Sequence, residues 1–160
     1  MQECEAAYGE CTPDFKTKRE LMLHQKMMEY LDAGYGQCLL RDPDVRFILE
    51  RAFEHMNHTT VLVHAYVIMP NHVHAILETL GDGIGIQQVM HSLKGFIASS
   101  INKHLLRQGS VWQREYYDRI IRNRRHYVSA VHYILRNPRF CHDGEYSLGG
   151  QAFQPAEDDE

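Results

Sequence analysis

Two runs rich in β-branched and aromatic side chains, residues 61–69 and 72–79, are separated by only Pro70 and Asn71. Such runs favour extended backbone, and a Pro-Asn break of that length implies a tight reversal, so the pair is expected to form a β-hairpin. Alternate strand residues share a face, which places His72 and His74 together on one side while Val73 and Ala75 point to the other. Two convergent neutral imidazoles suit Mn²⁺, Zn²⁺ or Ni²⁺, and Mg²⁺ where oxygen ligands join them. The spacing alone equally fits two histidines on a polar sheet face.

Around the hairpin the periodicity is helical. Thr12 and Pro13 form an N-cap and first-turn pair, and Leu21, Leu23, Met27, Met28 and Leu31 continue a helix that ends near Gly34. Asp42-Pro43 repeats the start signal for a helix to about His55, with Val45, Ile48, Leu49 and Ala52 facing inward. Gly81-Asp82-Gly83 marks a loop, and residues 86–105 read as a long helix burying Val89, Leu93, Phe96, Ile97 and Ile101. A short strand is expected over 116–122. Residues 124–137 form a last helix, which Pro138 ends.

That last helix has an apolar stripe of Tyr127, Val128, Val131, Ile134 and Leu135. At about 100° per residue, Tyr133 falls off it and shares another face with His126, Ala130 and Asn137. A tyrosine serving the core belongs on the stripe, as Tyr127 does; Tyr133 is either an exposed structural residue or aimed at a site. Tyr116 and Tyr117 are the other tyrosines in range, and in a strand only one of them could share the histidines' face. Trp112 could stack on an unpaired base, but beside Val111 it reads better as a packing anchor.

Four segments together resemble the REP-associated tyrosine transposases, a branch of the single-tyrosine HUH insertion-sequence transposases. They are Tyr66-Val67-Ile68-Met69-Pro70-Asn71-His72-Val73-His74, residues 111–122 from Val111-Trp112-Gln113-Arg114 onward, Tyr133-Ile134-Leu135-Arg136-Asn137-Pro138, and residues 31–43 around Leu31-Asp32-Ala33-Gly34. The resemblance implies an α+β fold, a ferredoxin-like antiparallel sheet with helices packed on one face. It implies metal ligation by His72, His74 and Asn137, and Tyr133 as the nucleophile. The chemistry implied is cleavage and rejoining of single-stranded DNA hairpins from repetitive elements through a 5′-phosphotyrosine, with Mg²⁺ or Mn²⁺. Relatives range from monomers to homodimers. The chain departs from the family at both ends: the apolar first strand is missing or degenerate in residues 1–12, and the tail lacks the usual tryptophan-serine ending.

With 160 residues and 44% apolar content, the chain is sized for one globular domain. The expected organisation is a poorly structured segment 1–12, a single domain over 13–140 and an acidic, Gly- and Gln-containing tail 141–160. The net charge of −4 conceals a division: residues 94–139 hold ten Lys and Arg against Glu115 and Asp118, a local +8. Within that segment Lys94, Lys103, Arg114, Arg119, Arg122, Arg124 and Arg125 are the candidate phosphate contacts. No apolar run long enough for a membrane span and no secretory pattern are apparent, so a cytoplasmic, nucleoid-associated protein is expected. Cys4, Cys11, Cys38 and Cys141 lack paired zinc-site spacing and read as reduced thiols.

Two other readings fit parts of the pattern. A relative that has lost cleavage would act as a repeat-DNA-binding module. An unrelated His-x-His metallohydrolase would need further acids or histidines at suitable spacing, and Glu78 is the nearest acid downstream.

Overall fold

The computed structural model describes residues 18–81, 83–113 and 117–153. The expectation of a missing or degenerate first strand in residues 1–12, the Thr12-Pro13 cap, Arg114, Tyr116 and the acidic end therefore lie outside the described residues. Four α-helices, α1 (Lys18–Asp32), α2 (Pro43–Met56), α3 (Ile86–His104) and α4 (Arg124–Arg136), accompany three strands, β1 (Val61–Ile68), β2 (Val73–Thr79) and β3 (Ser147–Gly149). The fold is α+β, and the antiparallel sheet has the order β2-β1-β3.

A bulge organises the sheet. The β1–β2 register runs Val63↔Leu77 and then Ala65↔Ile76, so His64 is an extra residue in β1. An inserted residue reverses which side chains reach each face. Val61 and Val63, then Tyr66 and Ile68 beyond the bulge, join Leu49, Phe53, Leu93 and Ile97 in one core beneath α2 and α3. Ala65, Val67, Met69 and Ile76 form a second core with Ile134 of α4 on the opposite face. The layer of helices expected on one face is thus α2 and α3, while the tyrosine-bearing helix covers the other.

Local chemistry accounts for the element ends. Asp42 accepts from the Asp44 backbone N–H at 2.9 Å and caps α2, with Pro43 at the first helical position. Asn123 caps α4 by accepting from the His126 N–H at 2.8 Å. Val45, Leu49 and Ala52 are buried as expected on α2, and Val89, Leu93, Ile97 and Ile101 on α3; Phe96, by contrast, is 60% exposed. On α4 only Ile134 is fully buried, and Val128 and Leu135 of the expected stripe remain largely exposed. This narrower stripe suits a helix that touches the sheet along one line.

Residues 117–122 do not form the expected strand. Both neighbours of β1 are already taken, by β2 and by β3, and the segment instead half-buries Ile121 against the second core and leaves Ile120 exposed. The third strand comes from the region read as tail: Tyr66, Val67 and Ile68 pair with Gly149, Leu148 and Ser147. The buried Arg46 guanidinium helps bring it there, donating to the carbonyls of Leu40 (3.0 Å), Arg41 (2.6 Å) and Gly144. Gly150, at φ +109°, follows β3 where a Cβ would lie 2.7 Å from Ala65 Cα and from the His64 carbonyl oxygen. Cys38 and Cys141 are free thiols.

Candidate functional site

The hairpin turn begins where Met69 N–H donates to the His72 carbonyl at 2.8 Å. His72 therefore belongs to the turn and β2 starts one residue later, yet the two imidazoles still converge, with ring centroids 4.9 Å apart and planes near perpendicular at 79°. His74 pairs with Val67 across the ladder. Directly opposed residues share a face, so His74 points toward the core that α4 covers.

On that face it meets Tyr133. The Tyr133 hydroxyl lies 3.5 Å from His74 Nε2, with ring centroids 5.0 Å apart. Tyr127, one and a half turns earlier, packs on the second core and directs its hydroxyl to His64 Nδ1 at 3.3 Å. His64 in turn holds Glu78 at 2.8 Å. The two helix tyrosines thus have separate histidine partners, and only Tyr133 reaches the His-x-His pair. Tyr117 is half exposed.

Asn137 caps α4 in right-handed helical conformation (φ −58°, ψ −42°) and opens the 3-10 turn Asn137–Phe140. The helical twist therefore continues past Arg136, and Asn137 stays on Tyr133's face. Its carboxamide lies beside His72, and both Asn137 Oδ1 and His72 Nε2 are buried without a hydrogen-bond partner among the described residues. Burial pushes the His72 imidazole down to about 4, with the Asn137 side chain offsetting part of the effect. At neutral pH the ring is uncharged and Nε2 is a lone pair, the form a metal needs.

Two residues that carried no role in the sequence reading complete the surroundings. Asn71 donates from Nδ2 to the carbonyls of Leu31 and Tyr35, both at 2.9 Å, which leaves Oδ1 to accept from His72 Nδ1 at 2.7 Å. Two carbonyl partners on Nδ2 fix the amide's orientation, and the amide fixes the histidine's tautomer. Asp32, the last residue of α1, brings Oδ1 to 3.8 Å from His72 Nε2. Burial raises the Asp32 carboxyl above its ordinary range, and the nearby Arg139 partly reverses this. A sequence signal existed for Asp32: an acid closing a helix whose last turn has no basic residue opposes the helix dipole.

The donor set suits a divalent ion. Two imidazoles and a carboxamide oxygen are a mixed N/O set, and two of the three present buried, unpartnered lone pairs. A second gathering, Asp42, Asp44 and His104, has donor atoms within 4.8 Å of one another. There Asp42 serves as the α2 cap, and the carboxylates sit favourably at that helix's N-terminus.

The basic residues are spread unevenly. Arg119 and Arg122 lie close enough to His126 to lower its pKa, after burial, which is the larger cause. Arg122, Arg124 and Arg125 are exposed beside the start of α4, and Lys103 is exposed in the last turn of α3. Lys94 is tied into the structure: Nζ donates to the Gln113 carbonyl, and its own carbonyl accepts from Trp112 Nε1, both at 3.0 Å. Trp112 is the packing anchor its neighbours suggested. The groove beside it, about 570 Å³, is lined by His91, Lys94 and Ala98 and includes none of His72, His74 or Tyr133.

A histidine pair at the start of β2 thus faces a helix-borne tyrosine, inside an α+β domain with basic residues around the same helix. Residues 35–137 match the family described as "Transposase IS200 like", and the chain belongs to that family. It is thus a transposase-family domain, in a family that generally depends on a metal ion. An uncharacterized protein of Haemophilus influenzae is 29% identical over 99 residues, covering 49% of this chain and 54% of the relative. The chain therefore spans about half the length of the curated relative it matches. No solved structure matches it. Among the described residues no helix is long and apolar enough to cross a membrane.

Proposed function

We propose that this protein is a REP-associated transposase that cleaves and rejoins single-stranded DNA at hairpin-forming repeats, with Tyr133 as nucleophile and His72, His74 and Asn137 holding Mg²⁺ or Mn²⁺. The observation that supports this most is the placement of the Tyr133 hydroxyl 3.5 Å from His74 Nε2, on the face the two histidines share.

A phenol with a pKa of about 10 is a weak nucleophile at neutral pH and depends on a polarised electrophile and a fixed geometry. The bound ion supplies the polarisation of the scissile phosphate and charge for the leaving oxygen. Tyr133 Oη forms the new bond to phosphorus while the bond from phosphorus to the 3′ oxygen breaks; the phenolic proton passes to water and the departing oxygen gains one. Because one phosphoester replaces another, a 3′ hydroxyl can reverse the step and reseal the strand without a nucleotide cofactor. Ile134, 2% exposed in the second core, anchors the turn of α4 that presents Tyr133.

Lys103, Arg119, Arg122, Arg124 and Arg125, with Lys94 and Arg114, contact the DNA backbone in this reading, so binding weakens steeply with salt. The protein acts in the cytoplasm on nucleoid DNA, as a monomer or homodimer. The test mixes purified protein and Mg²⁺ or Mn²⁺ with labelled single-stranded hairpins from repeats flanking its own gene, beside Tyr133→Phe. A protein–DNA adduct that survives denaturing electrophoresis, needs the metal and disappears in the variant is expected. Binding by a folded protein to several hairpins with no adduct would overturn cleavage and favour the repeat-binding module.

A further inference from the structure

Three polar groups meet around His72 beside β2: its Nε2 lone pair, the Asn137 carboxamide against it, and Asp32 Oδ1 at 3.8 Å from Nε2. His72 cannot donate from Nε2, because its proton is held on Nδ1 by Asn71 Oδ1 at 2.7 Å. The 3.8 Å gap from Nε2 to Asp32 Oδ1 is too long for a hydrogen bond. It is close to the roughly 3–3.5 Å spacing of two donors on one ion at bond lengths of about 2.0–2.2 Å. Acceptors facing one another repel unless a cation lies between them.

Arg139 lies near Asp32 and favours its carboxylate, but the end of α1 does not. Asp32 closes a helix whose final turn has no basic residue, where a carboxylate opposes the helix dipole. The chain nonetheless fixes this end of α1 to the histidine turn. Asn71 holds the Leu31 and Tyr35 carbonyls, on either side of Asp32, at 2.9 Å each with the same side chain that orients His72. One amide therefore sets both the ligand histidine and the carboxylate opposite it.

We infer that Asp32 is a carboxylate ligand of the divalent ion held by His72 and His74, supplied by the end of α1. The inference rests on the metal site proposed above and adds to it a hard, anionic donor. With neutral ligands only, the bound ion would keep its full double charge; with Asp32 the centre carries one net positive charge. That lets the apo-to-metal step proceed before DNA arrives and biases the site toward Mg²⁺ and Mn²⁺ over imidazole-preferring ions.

The experiment titrates the full chain, without DNA, with Mn²⁺ and separately with Ni²⁺, reading free Mn²⁺ by electron paramagnetic resonance and Ni²⁺ by calorimetry. Asp32→Asn, Asp32→Glu and His74→Ala are compared with the wild type, with circular dichroism to establish folding. Expected are loss of Mn²⁺ binding in His74→Ala, a fall of about tenfold or more in Asp32→Asn, a smaller fall for Ni²⁺, and partial recovery in Asp32→Glu. If His74→Ala abolishes binding while Asp32→Asn binds Mn²⁺ like the wild type, Asp32 is not a ligand and the histidine site stands. Equal losses for Mn²⁺ and Ni²⁺ in Asp32→Asn would reduce Asp32 to a positioning residue and overturn the inference. Wild-type binding that His74→Ala leaves unchanged, or no binding at all, would overturn the metal site itself.

Discussion

Asn71 concentrates more of the site's architecture than any residue beside the histidines, which makes it the sharpest place to perturb. Asn71→Ala removes three hydrogen bonds, to Leu31, Tyr35 and His72. At roughly 0.5–1.5 kcal/mol net for each, and with the Tyr35 bond discounted for exposure, the loss is about 2–3 kcal/mol. In a domain of this size that lowers the melting temperature by about 4–12 °C. Asn71→Asp separates the two jobs. Its carboxylate still accepts from His72 Nδ1 but turns an oxygen toward two carbonyls that need a donor, so α1 should detach at least as much as in the alanine variant. The added negative charge beside His72 should at the same time raise that imidazole's pKa and preserve its tautomer. Melting curves and Mn²⁺ titrations of both variants, in parallel, give the two readouts: both lose stability, and the alanine variant loses more metal affinity. An Asn71→Ala protein that melts within about 1 °C of the wild type would refute the clamp.

Other consequences can be checked singly. The metal-free protein should lose stability as pH falls from about 6.5, where an unfolded imidazole takes a proton, to about 4, where folded His72 does; the total is about 3 kcal/mol, present above the window, lost below it and absent from His72→Gln in urea titrations. Gly150→Ala places a Cβ 2.7 Å from β1 backbone at a positive φ, so it should cost about 2 kcal/mol or more and free β3, which hydrogen exchange at Tyr66 to Ile68 would register. A variant as stable as the wild type would mean β3 contributes little. Tyr127→Phe removes only a 3.3 Å contact to His64, and should cost less than about 1 kcal/mol and keep the DNA adduct. Loss of the adduct in that variant, with the fold intact, would argue against Tyr133 as nucleophile.

What could be read from the sequence was what neighbours in the chain decide. The hairpin, α2, α3 and α4 follow from alternation, caps and a helical stripe, and His72, His74 and Tyr133 stand out because their spacing breaks or uses those patterns. The failures share a cause. Residues 117–122 have strand-like composition, but the place beside Tyr66 to Ile68 is taken by β3. Ser147-Leu148-Gly149 carries almost no strand signal; its place is set from afar by Arg46 on the Gly144 carbonyl and by Gly150 against Ala65. The bulge at His64 is equally silent, although it decides that Ala65, Val67 and Ile76 line the face where α4 brings Tyr133 to His74. Asp32 lies 40 positions before His72, on a helix that no local pattern ties to the hairpin, and only the Asn71 amide reveals the connection. The distinction bears on chemistry as well as on fold. A motif names the groups that can bind an ion, but the number of anionic donors facing one point sets the ion's remaining charge, and that charge governs how strongly a phosphate is drawn to it and polarised.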